Sequence, residues 1–345
     1  MNPILGILFH AVGGLAAGSF YLPYKKVSKW PWEVYWLTGG IFAWFIVPIS
    51  AICLIYKSPL NLLEAIPANL MKWPYFFGML WGIGGLSFGL SIRYLGLSLG
   101  MAVALSLTAI FGTLIPPIAG GIFLDLLYTL SGRVILMGVV GGVGAAFIIG
   151  YAGMMKEKEL ARQSLGGTIV EFDYTKGMIV ATISGILSAC FAFGLASGRE
   201  ITEIVTPLSS NELFANSFLF AVIMIGGLTT NLIWCIYQII RKKSIDSLLS
   251  VTWTKSVRNF MLCIVAGTTW YFQFFFYGMG STQLDKFDFA SWSLHISFII
   301  LFSNIWGWIL KEWDGSSLKT KRFLLFGLLM LILSTVVIGY GNSIE

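Results

Sequence analysis

Charge is what this 345-residue chain has least of: Asp, Glu, Lys and Arg together make up 11% of it, against 57% hydrophobic residues. A soluble domain of this length would need more charge to cover its surface. Other absences narrow the chemistry. There is no G-x-x-x-x-G-K-[ST] phosphate loop, no G-x-S-x-G elbow and no His or Cys cluster at metal-ligand spacing, so ATP hydrolysis, serine-type hydrolysis and a bound metal or organic cofactor have no support. The four cysteines, Cys53, Cys190, Cys235 and Cys263, stand far apart inside apolar sequence and read as small core hydrophobes. Only two histidines are present, His10 and His295.

The scarce charges are unevenly placed. Ten stretches of at least 20 residues contain none: 1–24, 34–56, 73–92, 94–124, 134–155, 177–198, 213–240, 259–284, 289–310 and 323–344. About 20 apolar residues at about 1.5 Å each cross a bilayer core of roughly 30 Å. The expectation is an all-α membrane protein of ten transmembrane helices, with no room for an appended soluble domain. The formal net charge of +6 is confined to short loops without interleaved aromatics, so nucleic acid is not an expected partner and lipid is. The loops following odd-numbered runs hold 17 of the 22 Lys and Arg residues. Basic residues stay cytoplasmic, which places these loops inside and both termini outside, and PYKK after the first run argues against a cleaved signal peptide.

The longest charged connector, 156–176, divides the chain into five runs (1–155) and five more (177–345). Because five is odd, two like halves joined this way lie in opposite orientations, the inverted-repeat plan of many secondary transporters. Trp81, Phe88 and Gly89 recur as Trp270, Tyr277 and Gly278, all 189 residues later. Glycines four apart, such as Gly14 with Gly18 and Gly138 with Gly142, allow close helix approach. Pro116 and Pro117 predict a break or kinked end in the fourth run.

Transport is the class this pattern favours, with a membrane-embedded enzyme or sensor as a remote alternative. The residues of interest are then polar groups placed in hydrocarbon. His10 and His295 each lie about seven residues, or roughly 10 Å, from the outer end of a run, and Asp285 and Asp288 lie on the same outer side. Proton handling by these groups would need one that takes a proton outside and gives it up inside. Asp288 ranks first for that role, His10 and His295 next, and Glu33 last, since it sits beside Lys29 where an exposed ion pair is the simpler reading. In the eighth run, TTWYFQFFFYGMG (268–280) surrounds one amide with aromatic rings near mid-membrane. Aromatic faces pack on the C–H faces of a sugar ring and an amide both donates to and accepts from hydroxyls. Gln273, Trp270 and Tyr277 are therefore the expected sugar contacts, with Trp81, Ser87 and Tyr94 of the third run next.

PYKKVSKWPWE (23–33), WGIGGLSFGLSIRYLGLSLG (81–100), WYFQFFFYGMG (270–280), FDFASWSLHISF (287–298) and LKEW (310–313) together resemble the bacterial L-rhamnose-proton symporter family of the drug/metabolite transporter superfamily. The resemblance runs through both halves. It implies a ten-helix carrier of the inner membrane, without cofactor, that uses the proton gradient to import L-rhamnose or a closely related deoxy sugar. Another metabolite carrier of the superfamily, an exporter or exchanger, is the alternative. The oligomeric state is not legible.

Overall fold

The computed structural model describes residues 2–95, 97–163, 173–249, 251–284 and 289–344. Among these the regular elements are helices, and the β contact is an isolated bridge between Tyr56 and Ser209. The long helices are α1 (Pro3–Ser19), α2 (Trp32–Ile55), α3 (Ala68–Leu95), α4 (Leu97–Ala119), α5 (Leu130–Gln163), α6 (Tyr174–Ser197), α7 (Ser217–Lys242), α8 (Trp253–Ser281), α9 (Phe289–Ile309) and α10 (Leu318–Ser343). Eight of them, all but α3 and α4, are long and apolar enough to cross a membrane. The exceptions coincide with the third and fourth uncharged runs, and α3 is diluted by Gly, Ser, Trp and Tyr. Leu54 is 86% exposed and Val140 and Ile240 are each 70% exposed, an outward apolar surface that suits hydrocarbon and not water.

The local signals that start and stop these helices are ordinary. Asn2 caps α1 by accepting from the Leu5 N–H at 3.2 Å, with proline in the first turn. Asp173 caps α6 from the Lys176 N–H at 3.0 Å, and that backbone bond holds its carboxyl below the usual carboxylate range. The C-terminus of α7 carries Arg241 and Lys242 in its last turn and then turns left-handed at Lys243.

Four sequence expectations change in detail. Arg93 does not end a helix: α3 runs through it and through Tyr94 to Leu95. The connector starts late, because α5 continues through the charged helix formers of 156–163. Pro116 and Pro117 lie inside α4, which ends two residues beyond them at Ala119 and turns at Gly121, where φ is +73°. Finally, Cys190, Cys235 and Cys263 are buried and free, but Cys53 is exposed on the outer face of α2.

The helices pack in a definite set of pairs. α1 lies against α8 and α9, α6 against α3 and α4, α3 against α7, α2 against α8, and α5 against α10. Glycines set two of these crossings. A Cβ at Gly226 of α7 would collide with the Tyr75 carbonyl of α3, and a Cβ at Gly267 of α8 would collide with the Gly39 carbonyl of α2. Gly267→Leu is expected to destabilise the protein by more than the 1–3 kcal/mol typical of overpacking, because the obstacle is backbone. Thermal unfolding in detergent checks this, with Gly85→Ala, which meets open space, as the control.

Candidate functional site

At one end of the bundle a cavity of about 800 Å³ opens between the ends of α4, α6 and α8, the short helix Arg199–Val205 and the start of α7. This volume falls within the range of small-molecule sites, about 300–1,000 Å³. Its wall is polar: Arg199, Glu203, Asn211, Glu212, Asn216 and Ser281 all line it. Asn216 is held in place, its Nδ2 donating to Ser281 Oγ at 3.0 Å while its Oδ1 accepts from Thr202 Oγ1 at 3.4 Å. The floor is aromatic, made by Tyr277 and Trp292. Trp292 is fixed by an Nε1 bond to the Thr108 carbonyl at 3.0 Å and by stacking on Phe191 with centroids 5.6 Å apart. A polar wall and a rigid aromatic floor suit a ligand with hydroxyls on its rim and C–H groups on its face.

Behind the floor lie the two histidines. His10 comes from α1 and His295 from α9, and the packing of these helices brings the rings to 6.2 Å between centroids. Both are buried, and neither nitrogen of either ring has a hydrogen-bond partner among the described residues. Tyr277 stands edge-on to both, at 5.4 Å from His10 and 5.2 Å from His295. Glycines make the room: Gly280 faces His10 and Gly13 faces His295.

The opposite end of the bundle is closed. Trp81 and Trp44 each pack 5.5 Å from Trp270, and Trp270 continues to Phe274 at 4.9 Å. Below these rings polar links join the segment after α1 to the second half of the chain. Lys25 pairs with Glu312 at 2.6 Å. Asn259 bonds the Ser28 backbone on both sides, accepting at 3.3 Å and donating at 2.8 Å. Glu33 accepts from Ser244 and, at 3.3 Å, from Lys242. The expected exposed pair of Glu33 with Lys29 is thereby corrected. The carboxylate is 2% exposed and turned to the end of α7. A buried carboxylate needs charge-assisted bonds, and these come from residues more than 200 positions away that no local spacing reveals.

Of the residues singled out by sequence, Tyr277, His10 and His295 come together. Gln273 is buried on α8 one turn before Tyr277, and its backbone carbonyl packs on Gly13. Trp81 and Trp270 belong to the aromatic closure. Ser87 bonds carbonyls of its own helix, at 2.8 Å to Ile83 and 3.0 Å to Gly84. Tyr94 lies at the other end of α3, where its carbonyl accepts from Asp173. Asp288, and Asp285 with it, lies outside the described residues. Sequence reasoning passed over Trp292, although it is one helical turn from His295, and over Asn216, whose run showed an isolated amide and nothing more.

A family model described as L-rhamnose-proton symport protein matches residues 1–344 of this chain. Proteins named L-rhamnose-proton symporter from Yersinia pestis (strain Pestoides F) and Yersinia pseudotuberculosis serotype O:1b (strain IP 31758) are each 36% identical to it over 349 aligned positions, 99% of the chain and 98% of the relative. One from Yersinia pestis bv. Antiqua (strain Antiqua) is 35% identical over the same extent.

Proposed function

Because the chain belongs to the L-rhamnose-proton symport protein family, we propose that the cavity is the outward-facing sugar chamber and the histidine pair behind it the proton site. The protein is an integral membrane transporter, not an enzyme, and it couples sugar import to the entrance of a proton. The observation that carries the assignment is the adjacency of the two parts: the chamber ends on Tyr277, and Tyr277 touches both histidines of the chain. L-rhamnose, or a closely related deoxy sugar, bonds its hydroxyls to Asn216 and the charged wall and packs its C–H groups against Trp292 and the chamber edge of Tyr277.

Ten membrane crossings in two inverted repeats follow the same reading, with α3 and α4 completing the eight apolar spans. Support comes from the packing pairs. Exchanging α1–α5 with α6–α10 turns the contact of α1 with α8 and α9 into that of α6 with α3 and α4, and turns α3 with α7 into α8 with α2. Gly78 and Gly267, at the two glycine crossings, are 189 residues apart, the same offset as Trp81 and Trp270, whose rings pack 5.5 Å apart with their planes tilted by 37°. Alternating access is then the exchange of an open chamber at one end for an opened closure at the other.

The chamber opens on the side of the sparsely basic loops and the closure lies on the side with most Lys and Arg, so the conformation is outward-open in the inner membrane with both termini periplasmic. A reporter active only in the periplasm is expected to work when fused after Glu345 and to fail near Lys243; the reverse would invert the orientation. For the chamber, Asn216→Ala and Trp292→Ala are each expected to raise the Kd for L-rhamnose at least tenfold, about 1.4 kcal/mol, in purified protein. Gln273→Ala supplies the competing site: a tenfold loss there, with normal binding by the other two, would move the sugar one turn down α8. Uptake of labelled sugar into vesicles with and without an imposed pH gradient tests the activity, and accumulation that follows sodium would replace the proton as coupling ion.

A further inference from the structure

The chamber and the two imidazoles are separated by one side chain. Tyr277 lines the chamber, yet is only 4% exposed, so one edge of it meets the open space and the rest fills the gap in front of His10 and His295. On its flanks stand Trp292 at 5.8 Å and Phe220 at 6.1 Å, both of which are buried. Behind it the four imidazole nitrogens are buried and have no hydrogen-bond partner among the described residues. Water and protons entering from the chamber therefore meet this ring first. Among the described residues, the charged groups on the chamber side are Arg199, Glu203 and Glu212, and the ionisable rings behind Tyr277 are the two histidines.

We infer that Tyr277 is the gate between the sugar chamber and the histidine pair, and that a sugar seated on its chamber edge holds it shut. With the chamber empty, rotation of the ring admits water to the imidazoles and a proton is exchanged with the outer medium. A sugar packed against the ring removes the space into which it turns, so a proton already loaded is retained until the far end opens. Tyr277 is thus a positioning residue: it neither carries the proton nor changes covalently, and its shape makes proton exchange depend on sugar occupancy. This rests on the chamber being the sugar site, and the test separates the two.

The chain has just two histidines, so diethylpyrocarbonate labelling followed by the ultraviolet absorbance of N-carbethoxyimidazole, in protein purified without a histidine tag, reports this pair alone. In the wild type, labelling is expected to be slow and to slow at least fivefold further with saturating L-rhamnose. Tyr277→Ala is expected to label at least tenfold faster and to lose most of the protection. Tyr277→Phe, which keeps the wall, should label as the wild type does, and Tyr277→Leu provides an intermediate wall if the alanine variant fails to fold. In liposomes holding a pH-sensitive dye, Tyr277→Ala should pass protons without sugar, and adding His10→Gln and His295→Gln should stop the leak. Unchanged labelling in both Tyr277→Ala and Tyr277→Leu overturns the gate. Accelerated labelling with no sugar protection even in the wild type leaves the wall in place and instead removes the sugar from the chamber.

Discussion

Replacing both histidines, His10→Gln together with His295→Gln, is expected to abolish concentrative uptake while leaving downhill sugar exchange. The expectation follows from position. The two rings meet at 6.2 Å behind the chamber floor, contributed by α1 and α9, and no other Lys, Arg, Asp, Glu or His lies within the uncharged runs. For one proton per sugar, a gradient of one pH unit supplies about 1.36 kcal/mol, or tenfold accumulation. The double variant should fall to a ratio near one, and its sugar affinity should no longer vary with pH. Glutamine keeps a polar side chain of similar reach in each pocket, so a loss of folding is separable by thermal unfolding. If the double variant still concentrates sugar in a pH-dependent way, the proton is carried elsewhere, and Asp288→Asn is the next variant to measure.

Breaking the closure at the other end should produce the second large effect. Glu33→Ala removes the acceptor of both Ser244 and Lys242, and Lys25→Ala removes the pair with Glu312. Hydrogen bonds to charged groups contribute about 1.5–3 kcal/mol, and about 1.4 kcal/mol is a factor of ten in an equilibrium. The Lys25 pair is exposed on both sides and adds little, so Glu33 carries the expectation. The variant should favour the inward-open form at least tenfold. A cysteine introduced at Asn211 in the chamber wall should then react at least tenfold more slowly with a membrane-impermeant maleimide, and Kd for sugar offered from outside should rise in step. Equal reactivity in Glu33→Ala and wild type would show that the aromatic cluster of Trp44, Trp81 and Trp270 closes this end without the carboxylate.

Much of the fold was legible because a bilayer imposes one-dimensional rules. A charge inside hydrocarbon is costly at any position along a span, so the gaps between charges revealed the helices before any folding was considered. Where that signal is weak the boundaries moved: Arg93 and the charges after Lys156 fall within helices, since a helix end can carry charge into the interface. The resemblance of the 23–33, 81–100, 270–280 and 287–298 strings pointed to the family for a related reason, as those segments supply the helix 1–2 turn, the tryptophans of the closure, the chamber floor and the histidine face.

The sequence by itself determined the membrane class, the positions of the helices and the identity of the rare polar residues within them, because each of these depends on the free energy of a residue in water against lipid. Which of those residues meet was decided only by tertiary packing. His10 and His295 are 285 positions apart along the chain, and glycines at 13 and 280 let α1, α8 and α9 close around them. Glu33 finds Ser244 and Lys242 across the α2 and α7 ends, and Asn216 finds Ser281 across α7 and α8. In a helical membrane protein each helix satisfies its own backbone. The choice among neighbours is therefore left to side-chain shape and to a few hydrogen bonds, and neither has a period or a spacing that can be read along one strand of sequence.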